Sequence, residues 1–263
     1  MTTHLKDEPL SPDDRDFVTA LASGLDVILA FDHANPRMTL SEVAAKTGMN
    51  RARARRFLLT LNSLGYVRKQ NRHFELAPRT LQLGYAFLSA NNYRTVIQQH
   101  LEDITAQIGE SSSLGVLDDN DVIYVARSAA PHRLMAIALS VGTRLPAVAT
   151  SMGRVLLAQL PENELEALLE TVTLTRYTER TIVDKDELRV RLRQVRQQGY
   201  CIVDQELDSA LRSLAVPAFD ANGKLLGAIN VSTNAARIDL ATLTERFLPL
   251  LQEKTRQIAI QVS

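Results

Sequence analysis

The chain carries a single cysteine, Cys201, in 263 residues. One thiol excludes an internal disulfide and any multi-cysteine zinc site, which fits a reducing compartment. Histidine is scattered: His4, His33, His73, His100 and His132 show no pair at metal-ligand spacing, so neither a metal nor another cofactor is expected. No apolar run approaches the ~20 residues that span a bilayer. The segment Met1 to Pro12 is polar and acidic, unlike a secretory leader. These absences point to the cytoplasm and to no membrane partner. A phosphate-binding glycine loop is missing as well. Net charge is lacking too, being formally zero, while 45% hydrophobic residues supply core enough for two modest domains.

Neutrality on average hides a basic stripe. Residues 46–79 hold nine Lys or Arg and one acid, Glu75, whereas residues 1–45 hold eight acids and three bases. Positive potential is thereby confined to one stretch, the footprint of a DNA reader. Within it, NRARARRFLLTLNSLGYVRKQNRHFELAP (residues 50–78) spaces Phe57, Leu61 and Leu64 at helical intervals, behind an N-terminal end rich in arginine. Gly65 stops that helix, and Tyr66 to Lys69 with His73 to Leu76 read as two strands around Gln70-Asn71-Arg72.

Upstream, Asp13-Asp14 open a helix whose apolar positions Phe17, Leu21, Leu25, Ile28, Leu29 and Phe31 recur at three- and four-residue steps. Thr39 begins a short second helix, with Glu42 at capping-box offset and Leu40, Val43 and Ala44 on its buried side. Gly48 turns the chain and Asn50 caps the third helix. Helix, glycine turn, basic helix and basic hairpin make a winged helix-turn-helix over residues 13–78, behind a polar tail at 1–12. The candidates for base or phosphate contact in double-stranded operator DNA are Asn50, Arg51, Arg53, Arg55 and Arg56 on the helix. Lys69, Asn71, Arg72 and His73 are the candidates at the wing tip. An Arg-rich helix that is only a solvated surface is the plain alternative, set aside because glycine turn and basic hairpin accompany it.

Residues 79–92 read as a linker helix, with Leu81, Leu83, Tyr85, Phe87 and Leu88 too numerous for one buried stripe, and Tyr93 to Ile108 as another. The pair suits a stiff, dimer-forming linker, or else packs into the second domain. From Ser111 the pattern turns to strands at Ser113 to Leu117, Val122 to Arg127, Leu134 to Leu139, Cys201 to Val203, Leu214 to Phe219 and Leu225 to Ser232. Helices intervene at Ser151 to Gln159, Pro161 to Leu169, Asp184 to Gln198 and Leu240 to Val262. Asp118-Asp119-Asn120-Asp121 is a hairpin turn, since a calcium loop needs a glycine and a twelfth-position glutamate that are lacking. Residues 93–263 are therefore an α+β domain of the size of a small-molecule sensor.

The most informative stretch there is VGTRLPAVATSMGRVLL, residues 141–157. Pro146 and Ala147 to Thr150 keep the chain extended, then Thr150 or Ser151 caps a helix whose first free N–H groups attract anions. Aimed into apolar strands, that end suits a small organic acid. The alternative is that Ser151 is only a cap.

Three stretches, NRARARRFLLTLNSLGYV, VGTRLPAVATSMGRVLLA and GYCIVDQELDSALRSLAVPAFDANGKLLGAINVST, resemble the signature regions of IclR-type bacterial transcription regulators, over a span from about Asp16 to Val262. RRFLLTLNSLGYV, LAPRTLQLGYAFLSA and VDQEL followed by LRSLAVP are most similar to regulators of protocatechuate, 4-hydroxybenzoate and β-ketoadipate breakdown. The resemblance implies a homodimer or dimer of dimers, an operator-bound winged domain and a GAF-like effector-binding domain. RNA polymerase is a further partner if the protein activates. Carried over, the effector contacts are Leu134, Ile137, Ser151, Met152, Val203, Ser213, Asn230 and Ser232. Met152 is bulkier than the small residue common at its position, and Asn230 stands where serine is frequent. The implied effector is a small aromatic or dicarboxylic acid, or a different small organic acid. The rival class is a hydrolase using Ser151 or Cys201. Ser151 lacks a glycine-flanked nucleophile elbow, no histidine follows His132, and Cys201 sits in an apolar strand, so no catalytic residue is assigned.

Overall fold

Three helices and a three-stranded sheet begin the first of two units into which the chain divides, Met1–Ala90 and Asn91–Ser263. The computed structural model describes residues 10–90, 94–130 and 139–262. Helix α1 spans Thr19–Leu29, starting later than Asp13-Asp14, and it buries Ser23 and Val27, with Ala30 and Phe31 just beyond its end. Leu21, Leu25 and Leu29, expected in the core, are exposed. The helix is apolar on more than one side, and periodicity alone cannot say which side meets its neighbours.

Strand β1 (Arg37–Thr39) leads into α2 (Leu40–Thr47), whose capping box forms: the Glu42 N–H donates to Thr39 Oγ1 and the Thr39 N–H to Glu42 Oε2 at 2.6 Å. Gly48 closes α2 at φ +66°, a left-handed conformation that glycine adopts without a Cβ penalty. Asn50 then caps α3 (Arg51–Ser63), its Oδ1 accepting from the Arg53 N–H at 2.8 Å. The buried face of α3 is Ala54, Leu58 and Leu61, rotated from the expected Phe57, Leu61 and Leu64; Phe57 is half-buried and Leu64 exposed. Small Ala54 lets the helices approach closely, so the face bearing it turns inward.

The wing is β2 (Val67–Gln70) and β3 (His73–Leu76), joined through Asn71 at φ +56°. It contains a third strand that the sequence did not disclose: β1 pairs antiparallel with β3, giving the order β1-β3-β2. Val27, Met38, Leu58, Val67 and Phe74 form the core of the unit. Helix α4 (Leu81–Ala90) follows, with Leu81, Leu83 and Tyr85 exposed.

The second unit opens with α5 (Arg94–Ile108) and is built on a six-stranded antiparallel sheet. The strands are β4 (Ser111–Asp118), β5 (Asp121–Ser128), β6 (Arg144–Pro146), β7 (Cys201–Asp204), β8 (Leu211–Phe219) and β9 (Leu225–Asn234), in the order β6-β5-β4-β9-β8-β7. Edge strand β6 was not anticipated, and Ala147–Ala149 is a 3-10 turn rather than extended chain. The expected strand Leu134 to Leu139 falls outside the described residues except for Leu139. One sheet face packs on α5 and α10 (Leu248–Gln261) through Ile97, Leu101, Leu214, Val231 and Leu251. The other carries α6 (Ser151–Leu157), α7 (Glu162–Thr171) and α8 (Lys185–Gln198) over Val122, Val203 and Ala215. The C-terminal helix is not uniform: α9 (Leu240–Thr242) passes through a π turn at Leu243–Phe247 before α10. Pro249 has no N–H for the Glu245 carbonyl, and the Leu248 N–H reaches back to Leu243 instead. Among the described residues no helix is long and apolar enough to cross a membrane.

Candidate functional site

In the first unit, α3 presents its cations unevenly. Arg51, Arg55 and Arg56 are exposed, with no side-chain hydrogen bond or ion pair among the described residues. Arg53 is tethered: its Nη2 donates to Ser23 Oγ on α1 at 2.6 Å, and its guanidinium lies 5.9 Å from the Phe57 ring centroid. The Oδ1 of Asn50 is committed to capping, which leaves its amide hydrogens as the outward group. On the wing, Lys69 stands 6.0 Å over the Phe74 ring, Asn71 and Arg72 are exposed at the tip, and His73 is half-buried.

The one acid of the stripe, Glu75, is neutralised from β1 by Arg37 Nε at 3.0 Å. Lys46 is likewise occupied, and it holds the Asp32 carboxyl down to about 2. Arg79 is turned to the Leu64 carbonyl at 2.9 Å and to the Tyr66 ring. Among the described residues of this stretch, Arg51, Arg55, Arg56, Arg68, Lys69 and Arg72, on helix and wing, carry no ion pair and no side-chain hydrogen bond.

The second unit contains a cavity of about 460 Å³, a size suited to a small ligand. Its floor comes from cross-strand rows of the sheet. Residues directly opposite in an antiparallel pair project to the same face, and Ser111, Ser232, Ser213 and Val203 are successive partners across β4, β9, β8 and β7. Asn230 lies in the next row, paired with Ser113 and Ala215. Its Nδ2 donates to Ser232 Oγ at 3.0 Å, while its Oδ1 is buried without a partner.

Helix α6 supplies a wall. Thr150 is its cap, accepting from the Gly153 N–H at 3.1 Å, and Ser151 faces the cavity with a buried hydroxyl that has no hydrogen-bond partner. Tyr124, Leu139, Leu145 and Leu211 add apolar surface. Burial pushes the Tyr124 hydroxyl up to about 12, so it stays protonated at neutral pH. At one end, Arg237 Nη2 meets both oxygens of Glu110 at 2.8 and 3.0 Å.

Of the effector residues carried over, Ser151, Val203, Ser213, Asn230 and Ser232 are thus brought together on one cavity. Met152 is not among its lining residues: it is buried in the core with its thioether against Gly115, because consecutive residues of a helix point in different directions. Leu134 and Ile137 lie outside the described residues. Tyr124 was missed although its alternation with Val122 placed it on the same sheet face. Glu110 and Arg237 carried no local signal, since only the return of the chain after β9 brings them together.

No base is poised on Ser151, whose Oγ is unpartnered, and burial pushes the Cys201 thiol up to about 12. Among the described residues no group of His, Cys, Asp and Glu is placed to hold a metal ion.

Residues 20–71 match the IclR helix-turn-helix domain, and residues 85–260 match the bacterial transcriptional regulator IclR C-terminal domain. The chain is 43% identical to the Pca regulon regulatory protein of Pseudomonas putida over 249 residues, 95% of this chain and 86% of the relative. A crystal structure from Rhodococcus sp. RHA1, described as that of a transcriptional regulator, superposes with a TM-score of 0.81 at 49% identity, covering 92% of this chain and 97% of that one. The inducer-binding domain of the Acinetobacter transcription factor PobR, a double mutant complexed with 3-hydroxybenzoic acid, is 32% identical. Its TM-score is 0.61, over 64% of this chain and 98% of that one. Winged domain, sensor-like domain and sequence agree over nearly the whole length, and the chain belongs to the IclR family of bacterial transcriptional regulators, not to a family of enzymes.

Proposed function

We propose that this protein is a ligand-responsive regulator of aromatic-acid catabolic genes of the β-ketoadipate pathway, with a small aromatic or dicarboxylic acid as effector. The observation that carries the reading is a pair of buried polar atoms, Ser151 Oγ and Asn230 Oδ1, left unpartnered on a cavity that joins apolar wall to polar floor. Unpaired buried polar groups are costly, and a ligand bearing donors and acceptors removes that cost. The Pca regulon protein and the 3-hydroxybenzoic acid complex among its relatives support the chemical class.

In this reading Arg51, Arg55, Arg56, Arg68 and Arg72 hold operator DNA, and the tethered Arg53 sets the pose of α3. The protein works in the cytoplasm as a dimer or dimer of dimers, with residues 79–92 as linker, and RNA polymerase is a partner if it activates. The effector acts by population shift, binding two arrangements of the dimer with affinities that differ by roughly 1–3 kcal/mol.

Calorimetric titration with protocatechuate, 4-hydroxybenzoate, β-ketoadipate and cis,cis-muconate tests this, with a Ser151→Ala, Asn230→Ala variant as control. One acid should bind, and the variant should lose it while still holding the operator. If no acid binds to protein that retains its operator, the effector class is wrong.

A further inference from the structure

The second unit contains a cation that no carboxylate answers among the described residues. Arg127 on β5 is half-buried, and its Nη1 donates to Ser113 Oγ at 3.1 Å. No carboxylate pairs with it among the described residues, and the neighbouring segment 131–138, PHRLMAIA, contains no Asp or Glu. The more deeply buried cations behave differently: Arg154 pairs with Glu206, Arg212 with Asp204 and Lys254 with Asp103. Burial pushes the Arg127 guanidinium below its ordinary range. A partly desolvated cation without a counter-charge is costly, and an anion brought alongside relieves that cost.

Its position ties it to the cavity floor. Ser113 is the register partner of Arg127 on one side and of Asn230 on the other, so the three side chains share one face of adjacent strands. Strands lie ~4.8 Å apart, which puts the Arg127 backbone ~10 Å from that of Asn230. The bond to Ser113, on the strand between them, brings the guanidinium over to the Asn230 side of Arg127. Arg237 is the one arginine among the described residues that line the cavity, and Glu110 already neutralises it at two points; Arg127 and Ser113 stand one step beyond that lining, next to Asn230.

We propose that Arg127 is the counter-ion of the effector's carboxylate, and so the residue that makes this cavity select an acid over its neutral analogue. The assignment rests on the effector reading above. A carboxylate seated between Arg127 and the floor serines gains charge-assisted hydrogen bonds from the guanidinium. The remainder of the ligand lies on the apolar wall and reaches Ser151 with neutral hydrogen bonds.

The test is calorimetry on the full chain with protocatechuate, 4-hydroxybenzoate, β-ketoadipate and cis,cis-muconate, each beside its carboxamide, for wild type, Arg127→Lys and Arg127→Gln. Wild type should prefer the acid. Arg127→Gln should lose roughly 30-fold or more in affinity for the acid and leave the carboxamide unchanged, with Arg127→Lys in between. Equal binding of acid and carboxamide by wild type overturns the proposal without any variant. So does a cooperatively melting Arg127→Gln protein with wild-type affinity for the acid, or one that loses acid and carboxamide alike. Binding of no acid by wild type overturns the effector class and this assignment together, whereas the other failures leave the effector class standing.

Discussion

The guanidinium of Arg154 on α6 meets the carboxylate of Glu206 edge to edge, Nη1 to Oε1 at 2.7 Å and Nη2 to Oε2 at 2.5 Å, with both residues buried. Arg154 Nε also donates to the Val148 carbonyl at 2.8 Å, fixing the chain that leads into the Thr150 cap. On the other side, Thr181 Oγ1 donates to the Glu206 carbonyl at 2.6 Å and Thr178 Oγ1 to that of Gln205 at 2.6 Å. The pair therefore ties the wall bearing Ser151 to the loop bearing Leu207 and Asp208, two sides of one cavity.

Removing one partner strands the other. Glu206→Ala should cost about 3–5 kcal/mol, because the guanidinium stays buried with no counter-charge. Urea unfolding of the full chain measures it, and a loss under about 1 kcal/mol would show that water replaces the carboxylate.

The arginines of α3 should divide into two kinds. Arg55→Ala should leave stability unchanged and lower the slope of log affinity for operator against log salt by about 0.9. Arg53→Ala should also weaken the first unit by about 1 kcal/mol, through the lost bond to Ser23. Thermal melts beside binding isotherms at several salt concentrations separate them. Identical behaviour of the two variants would contradict the tether.

Gly153 is a packing residue. A Cβ there would stand 2.0 Å from the Ala147 carbonyl oxygen, a backbone atom that cannot swing aside. Gly153→Ala should cost more than about 3 kcal/mol and disturb the Thr150 cap. A variant with wild-type Tm would mean that the 3-10 turn before α6 yields easily.

Cys201 should be silent toward thiol reagents in the native protein at pH 8 and react on unfolding, since burial pushes its pKa up to about 12. The sign of the linkage follows. The unfolded thiol ionises first, so the stability it contributes is whole below about pH 8.5. That contribution declines as pH rises toward 12. Stoichiometric labelling without denaturant would place Cys201 outside the core.

Much of this architecture is legible locally. Thr39 with Glu42, Asn50 before the arginines and Thr150 before α6 are caps, and caps are recognised from neighbours in sequence. The α1 face, by contrast, was misread because apolar residues stand on several sides, and which side is buried depends on α3. Strand β1 escaped notice because three residues show no alternation, and only pairing with β3 makes them a strand.

The sequence by itself determined the run of helix, glycine turn, basic helix and hairpin and the basic stripe, because turn chemistry and charge density are properties of adjacent residues, while the grouping of Ser151, Ser213, Asn230 and Ser232 in one site came from resemblance to a family. Tertiary structure alone decided that Arg53 faces Ser23, that Met152 enters the core instead of the cavity, and that Arg154 finds Glu206 while Arg127 finds no acid among the described residues. Those outcomes depend on which distant side chains share a buried space, where a charge must be paired across the fold or wait for a ligand.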